Sequence, residues 1–141
     1  MTLAEKLEIA EMLDDMGVDI IEAGFPIASE GDFNAVSEIS KRSKNSVICG
    51  LARAKLKDID RSAEAIRNAS QPRIHTFIGT SPLHRAIPNL TKDEMAERIH
   101  TTVTHARNLC DNVQWSPMDA TRTEYDYLCK TIEIAINAGA T

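Results

Sequence analysis

The stretch Arg73-Ile74-His75-Thr76-Phe77-Ile78-Gly79-Thr80-Ser81-Pro82-Leu83-His84 decides the fold. A continuous β-rich run that ends in glycine and proline predicts a strand buried on both faces, which is typical of parallel sheets. In such sheets ligands bind beyond the carboxyl ends of the strands, so we expect a site near His75, Thr80 and His84. The alternative is that His75 is a core histidine with satisfied hydrogen bonds and that His84 is an ordinary loop residue.

The residues on both sides of this stretch alternate between helix and strand patterns. Thr2 and Glu5 have the spacing of a capping box, and the helix that they begin ends at Gly17, where a buried strand follows. Later helices are predicted to begin at or near Ser29, Asp58, Thr91 and Thr123, and strands are predicted to begin near residues 18, 46, 73 and 112. The strand starts are about 27 to 39 residues apart, close to the length of one βα unit in an eight-stranded barrel.

This alternation predicts an α/β fold, a partial TIM (β/α)8 barrel with about four parallel strands alternating with helices. Four strands cannot close such a barrel. The chain begins with a helix and ends on Gly139-Ala140-Thr141, where another strand is expected, so the first strand and the later strands are expected to be missing. Residues 1–141 would then form a single incomplete domain, the central part of the barrel. A small doubly wound sheet is less favoured, because no glycine-rich phosphate turn follows any strand.

Composition excludes several classes of function. The sequence is 43% hydrophobic and 26% charged with a net charge of -5, and it has no basic run, which disfavours binding to nucleic acid or an anionic membrane surface. We see neither an apolar stretch of about 20 residues nor a signal peptide, so a cytoplasmic location without a membrane segment is expected. Three widely spaced cysteines predict free thiols: Cys49, Cys110 and Cys129.

Polar residues recur near the predicted ends of the strands. They are Glu22, Arg53, His75 with Thr80, and Gln114 with Ser116. In a barrel these side chains would converge, and a guanidinium, an imidazole and small hydroxyls suit an anionic oxo-acid substrate. Each has a plain alternative: Glu22 and Arg53 as an ion pair at the rim, Ser116 as a turn residue, and Gln114 as a satisfied polar group.

Four motifs resemble the 2-isopropylmalate synthase family, in the same order and over the whole chain. They are Ile21-Glu22-Ala23-Gly24-Phe25-Pro26, the stretch from Arg73 to His84, Asp119-Ala120-Thr121-Arg122-Thr123-Glu124 and Ala138-Gly139-Ala140-Thr141. The resemblance implies a (β/α)8 catalytic barrel, an acyltransferase that condenses acetyl-CoA with 3-methyl-2-oxobutanoate in leucine biosynthesis. It also implies a divalent metal (Mn, Mg or Zn) and a homodimer. The related homocitrate and citramalate synthases use other oxo acids.

The resemblance assigns roles to some residues of this chain. His75 and Ser116 match positions that line the oxo-acid pocket, Cys49 matches an apolar pocket position, and Glu22 matches the strand-end glutamate, a candidate catalytic acid. Arg53 and Thr80 are the other expected substrate-binding residues. The Arg-Asp strand and the His-x-His pair of the family have no match here, so we expect no metal ligand in this chain and no activity from it alone.

One departure from the family pattern concerns the stretch Ser116-Pro117-Met118-Asp119, where many relatives have Ser-x-Glu-Asp. Either that glutamate is dispensable, or Glu22 or Asp119 replaces it, or the enzyme is a poor catalyst. A different class of function is also open: a non-catalytic half-barrel that dimerises to cover its sheet edges and acts as a binding or assembly module.

Overall fold

A computed structural model describes all residues from 1 to 141 and contains one parallel sheet with the strand order β1-β2-β3-β4. The strands are β1 (Ile20–Gly24), β2 (Val47–Arg53), β3 (Pro72–Gly79) and β4 (Val113–Met118). The helices are α1 (Leu3–Asp15), α2 (Glu30–Arg42), α3 (Leu56–Ile66), α4 (Pro82–Ala86), α5 (Lys92–Leu109) and α6 (Tyr125–Asn137), with a 3₁₀ turn at Ala120–Arg122. Consecutive strands are neighbours joined through helices, which confirms the predicted fold class and is consistent with part of a TIM barrel.

Capping side chains fix where the helices begin. Thr2 and Glu5 form the predicted capping box of α1, and Thr91 and Glu94 form that of α5. Each box satisfies two backbone N–H groups that a helix start leaves without partners. Ser29 caps α2 by accepting a hydrogen bond from the backbone N–H of Asp32. These local signals explain why the starts of three helices were predictable.

The two faces of the sheet have different characters. Ile48, Ile74 and Val113, each at most 1% exposed, belong to the core between the sheet and the helices. Side chains alternate along a strand, so the residues next to each of these three in its strand point to the opposite face of the sheet. That face, which we call the open face, carries Glu22 and His75, which are less buried than the core residues. Truncating one of the core isoleucines to alanine would cost about 2–5 kcal/mol.

Several predicted boundaries were wrong. Helix α3 begins at Leu56 rather than at Asp58, because the Asp58 carboxylate accepts hydrogen bonds from Arg53. Thr123 does not cap the last helix: the N-cap is Glu124, without a side-chain cap bond, and the Thr123 hydroxyl is paired with Thr80. The loop after β3 contains the short helix α4, and β4 extends to Met118, further than predicted.

All three cysteines are free, as predicted, with Cys49 and Cys110 buried and Cys129 exposed. The helices are too short or too polar for any of them to cross a membrane.

Candidate functional site

The imidazole of His75 joins a carboxylate to a hydroxyl on the open face of the sheet. Its Nδ1 lies 2.5 Å from Oε2 of Glu22, and its Nε2 lies 2.7 Å from Oγ of Ser116. A carboxylate only accepts hydrogen bonds, so Nδ1 carries a proton and donates it. In the neutral imidazole Nε2 then accepts the Ser116 hydroxyl proton. The three side chains therefore form one hydrogen-bonded line, which we call the His75 line.

The register of the sheet brings these distant residues together. Glu22 pairs with Cys49 across β1 and β2, His75 pairs with Leu51 and Gln114 on its two sides, and Phe77 pairs with Ser116. Paired residues of parallel strands point to the same face, so all of these side chains share the open face. The line lies within the strands and not at their ends: β3 continues past His75 to Gly79, its predicted end, and β4 continues past Ser116, where it was predicted to end, to Met118.

Cys49 lies beside the line. Its Sγ is 4.0 Å from Oε2 of Glu22, and the residue is only 1% exposed. Burial, followed by the nearby charge of Glu22, raises the pKa of the Cys49 thiol to about 12. At neutral pH the thiol is therefore protonated, and it acts as a small apolar wall. The pocket role that the resemblance implies for Cys49 remains a prediction.

Arg73 adds a positive charge that the sequence analysis did not include in the site. It pairs with Cys49 in the sheet register. Its Nε donates to Asn112 at 2.7 Å, and an Nη donates to Gln114 at 3.3 Å. Gln114, predicted near the strand end, thus orients a guanidinium. The alternation of side chains along β3 was the signal that could have placed Arg73 and His75 on one face.

The structure does not bring Arg53 and Thr80 into this line. Arg53 Nε is 2.5 Å from Oδ2 of Asp58, so the predicted alternative of a Glu22–Arg53 ion pair is not found. The Asp58 hydrogen bond raises the pKa of Arg53. Thr80 is fully buried, and its hydroxyl lies 2.7 Å from that of Thr123. Their roles in substrate binding remain predictions.

A second polar network, which we call the loop clasp, joins the loops after β3 and β4. Nδ1 of His84 lies 3.0 Å from Oγ of Ser81 and 3.2 Å from Oδ2 of Asp119. Arg85 donates two hydrogen bonds to the Glu124 carboxylate. The Arg85 hydrogen bond lowers the pKa of Glu124 to about 2. These contacts give His84 a structural explanation that the sequence alone did not supply.

A cavity lies at the carboxyl ends of β2 and β3 and is bordered by residues of α4 and α5. Its volume is about 210 Å³, and it is lined mostly by apolar groups. Polar and charged side chains at its border are Arg53, Lys55, His84 and Arg98. Met118, at the position where the resemblance implies a glutamate, also lines it and is 39% exposed. This chain therefore has an apolar group at this border, where the resemblance led us to expect a carboxylate.

Three side chains on the open face have donor atoms that fit a metal ion. The ligand atoms of Glu22, Cys49 and His75 all lie within 4.8 Å of one another. A set of oxygen, sulfur and nitrogen donors fits Zn²⁺ better than Mg²⁺ or Ca²⁺, which prefer oxygen alone. This grouping is not visible in the sequence, because its members come from three different strands.

The fold and the site define a class of protein: parallel α/β proteins with consecutive strand order and a polar cluster on the open face of the sheet. More particularly, the chain belongs to the HMGL-like family, whose model matches residues 1–141.

Curated relatives are named 2-isopropylmalate synthase. The chain is 61% identical over 142 residues to that of Rhodopseudomonas palustris (strain BisB18) and 62% identical over 141 residues to that of Bradyrhizobium sp. (strain ORS 278). It is 63% identical over 142 residues to that of Nitrobacter hamburgensis. These matches cover 99% to 100% of the chain, and the chain spans about 27% of the length of the curated relatives.

Proposed function

We propose that this chain is the central part of the catalytic barrel of a 2-isopropylmalate synthase, a single incomplete domain over residues 1–141. The complete enzyme would condense acetyl-CoA with 3-methyl-2-oxobutanoate in leucine biosynthesis, as a cytoplasmic homodimer. The observation that carries this proposal is the His75 line, which places the imidazole and the Ser116 hydroxyl of the resemblance beside each other on the open face. The identity to curated relatives of that name supports it.

In this proposal His75 and Ser116 bind and orient the oxo acid. When His75 is neutral, Ser116 donates to Nε2 and offers its oxygen lone pairs to the pocket. When His75 is protonated, both nitrogens donate, and the Ser116 hydroxyl is free to donate to a substrate oxygen. The hydrogen-bond direction at Ser116 therefore follows the protonation state of His75, which suits a step in which charge develops on the oxo group.

Glu22 acts through His75 in this scheme. Its carboxylate fixes the proton on Nδ1 and so leaves Nε2 facing Ser116. Glu22 thus has the role of a positioning residue, with direct catalysis as the alternative that the resemblance left open. Cys49 forms the buried wall beside it. Arg53, whose side chain is 48% exposed, is proposed to attract the anionic substrate at the end of β2.

The divalent metal implied by the resemblance polarises the 2-oxo group when it is bound. Its family ligands have no match in this chain, so we propose that they lie outside residues 1–141. The chain's own contribution is the pocket wall that orients the substrate.

Release of coenzyme A tests the proposed function. The complete enzyme that carries this chain should release coenzyme A from acetyl-CoA most efficiently, by kcat/KM, with 3-methyl-2-oxobutanoate. Pyruvate and 2-oxoglutarate are the comparison substrates, because they represent the citramalate and homocitrate reactions. A preference for either would replace the proposed substrate, and no release with any of the three would contradict the function. The 141-residue chain alone is expected to release none.

The open sheet edges favour one second candidate, an assembly module. Strands β1 and β4 each have a single neighbour, and Ile20 on β1 is 38% exposed. Unpaired edges of this kind are covered in stable proteins. Analytical ultracentrifugation of the 141-residue chain separates the candidates: a soluble cooperative dimer supports the module, and an aggregating chain supports a piece of a larger barrel.

A further inference from the structure

We propose that Glu22, Cys49 and His75 form a binding site for a thiophilic divalent cation such as Zn²⁺, independent of the metal that the synthase reaction requires. The site is built only from residues of this chain. The same three residues line the proposed oxo-acid pocket, so a bound cation would compete with substrate there, and the test is metal binding rather than synthase activity.

The geometry provides three ligands of three chemical types. The Glu22 carboxylate oxygen, the Cys49 sulfur and a His75 ring nitrogen lie within 4.8 Å of one another. Ligand atoms around a tetrahedral Zn²⁺ are about 3–4 Å apart, since each is about 2.0–2.3 Å from the metal. The Cys49–Glu22 separation of 4.0 Å fits that range, and the 2.5 Å between Glu22 and His75 must widen slightly. Glu22 can supply this movement, because its side chain is 46% exposed.

The donor set selects the kind of cation. A thiolate excludes Mg²⁺ and Ca²⁺ as favoured occupants, and imidazole with thiolate is typical of Zn²⁺. On binding, the Cys49 thiol loses its proton to solvent and a sulfur–metal bond forms. The ring proton of His75 moves from Nδ1 to Nε2, where it is donated to Ser116 Oγ, so that Nδ1 can coordinate while the imidazole stays neutral. Three protein ligands leave a fourth tetrahedral position for water or a small ligand.

The surroundings of the three ligands have features of metal sites in proteins: a hydrogen-bond partner that orients a ligand, and a rigid support. Ser116 lies 2.7 Å from Nε2 of His75, the nitrogen that does not face Glu22, and so orients the ring as second-shell partners do. The ligands come from three neighbouring strands, which hold them more rigidly than loops would. Arg73 opposes a cation electrostatically, but its guanidinium is hydrogen-bonded to Asn112 and Gln114. Glu22 and the thiolate together supply two negative charges against it.

Cobalt absorption tests the proposal directly. Co²⁺ replaces Zn²⁺ in tetrahedral sites, and a cysteine ligand gives a thiolate-to-cobalt charge-transfer band in the near ultraviolet. We expect the complete enzyme that carries this chain to show this band when Co²⁺ is added and to lose it when Zn²⁺ is added. No band at saturating Co²⁺ would overturn the proposal.

Matched cysteine variants locate the ligand. Cys49→Ser should abolish the band, whereas Cys110→Ser, a second buried cysteine, and Cys129→Ser, an exposed one, should keep it. A band that survives Cys49→Ser would also overturn the proposal. Circular dichroism checks folding, and if Cys49→Ser fails to fold, Glu22→Gln at an exposed position provides the second test. Glu22→Gln and Ser116→Ala should each weaken Co²⁺ binding by about 10-fold or more, and unchanged affinity in both would contradict the assignment.

Discussion

His75 and His84 each lie beside one carboxylate and one hydroxyl, yet the two imidazoles use these partners differently. His75 uses both nitrogens, with Nδ1 facing Glu22 and Nε2 facing Ser116. His84 uses Nδ1 alone, which faces both Ser81 and Asp119. His75 lies in a strand, whereas His84 lies in the short helix α4.

This difference separates a histidine suited to chemistry from one suited to structure. A ring that contacts a different group at each nitrogen can pass a change of protonation from one partner to the other. A ring that presents a single nitrogen to both partners fastens two loops together, since Ser81 follows β3 and Asp119 follows β4. The identity of the partners alone does not reveal which kind of histidine is present. The kind of histidine is revealed by which ring nitrogens the partners contact.

The largest expected effect is on catalysis by His75→Asn in the complete enzyme. We expect kcat/KM for 3-methyl-2-oxobutanoate to fall by about 100-fold to 1,000-fold, the range for loss of one group that stabilises charge developing on the substrate oxygen. Steady-state release of coenzyme A measures it. His100→Asn, at an exposed histidine of α5, is the matched control and should leave kcat/KM unchanged. A loss below about 3-fold in His75→Asn would mean that the His75 line is not part of the site.

A smaller effect, on stability, is expected when the loop clasp is disturbed by Gly79→Ala. A Cβ at Gly79 would overlap the Cβ of His84, and because both atoms are attached to backbone, the loop must move. We expect a loss of about 1–3 kcal/mol in the free energy of unfolding, measured by urea titration of the complete enzyme that carries this chain. Gly31→Ala is the control, since the nearest atom to its Cβ, Ser29 Oγ, is at 3.6 Å. Equal stability of the two variants would show that the clasp tolerates displacement.

Acid should weaken the clasp through Asp119. The Ser81 hydrogen bond, with help from Arg122, lowers the pKa of the Asp119 carboxyl. A carboxyl whose pKa is lowered by folding stabilises the protein above its unfolded value, near pH 4, and this contribution is lost as the pH falls through the folded value. The urea midpoint should therefore decrease less between pH 5 and about pH 3 in Asp119→Asn than in the wild type. Asp126→Asn, an exposed aspartate on α6, should retain the wild-type dependence, and identical curves for all three would contradict the role of Asp119.

The smallest effect is expected at a third histidine, His105. Its Nε2 lies 2.6 Å from Oδ1 of Asp60, but the two side chains are 31% and 57% exposed. His105→Ala should change the free energy of unfolding by less than about 1 kcal/mol, as exposed ion pairs usually do. The same urea titration measures it. A larger loss would show that a carboxylate partner alone is enough to make a histidine important in this fold.

Much of the fold was predictable because its signals are local. Thr2 and Thr91 begin helices through capping boxes that span three residues, and the alternation of helix and strand predicted a parallel sheet. The Thr123 assignment failed because a side chain from another loop, Thr80, pairs with its hydroxyl.

The candidate site was predictable only in part, since it depends on the register between strands. The sequence indicated that His75 and Ser116 face one pocket, but not that Glu22 contacts the other nitrogen of His75. Arg53 was assigned to the same group from its place at the end of β2. It lies there, but the start of α3 supplies Asp58 as its partner. The hydrophobic pattern of a strand does not show that a residue at its end will pair with a side chain in the first turn of the next helix.

Substrate binding at equilibrium tests the central claim most directly, because it separates the two histidines without involving catalysis. Isothermal titration of 3-methyl-2-oxobutanoate should be carried out on the complete enzyme and on its His75→Asn and His84→Asn variants. Loss of a hydrogen bond to a charged ligand costs about 1.5–3 kcal/mol, so Kd should rise by about 10-fold to 100-fold in His75→Asn. In His84→Asn it should stay within about 3-fold of the wild type. Unchanged affinity in His75→Asn, or an equal loss in both variants, would contradict the account.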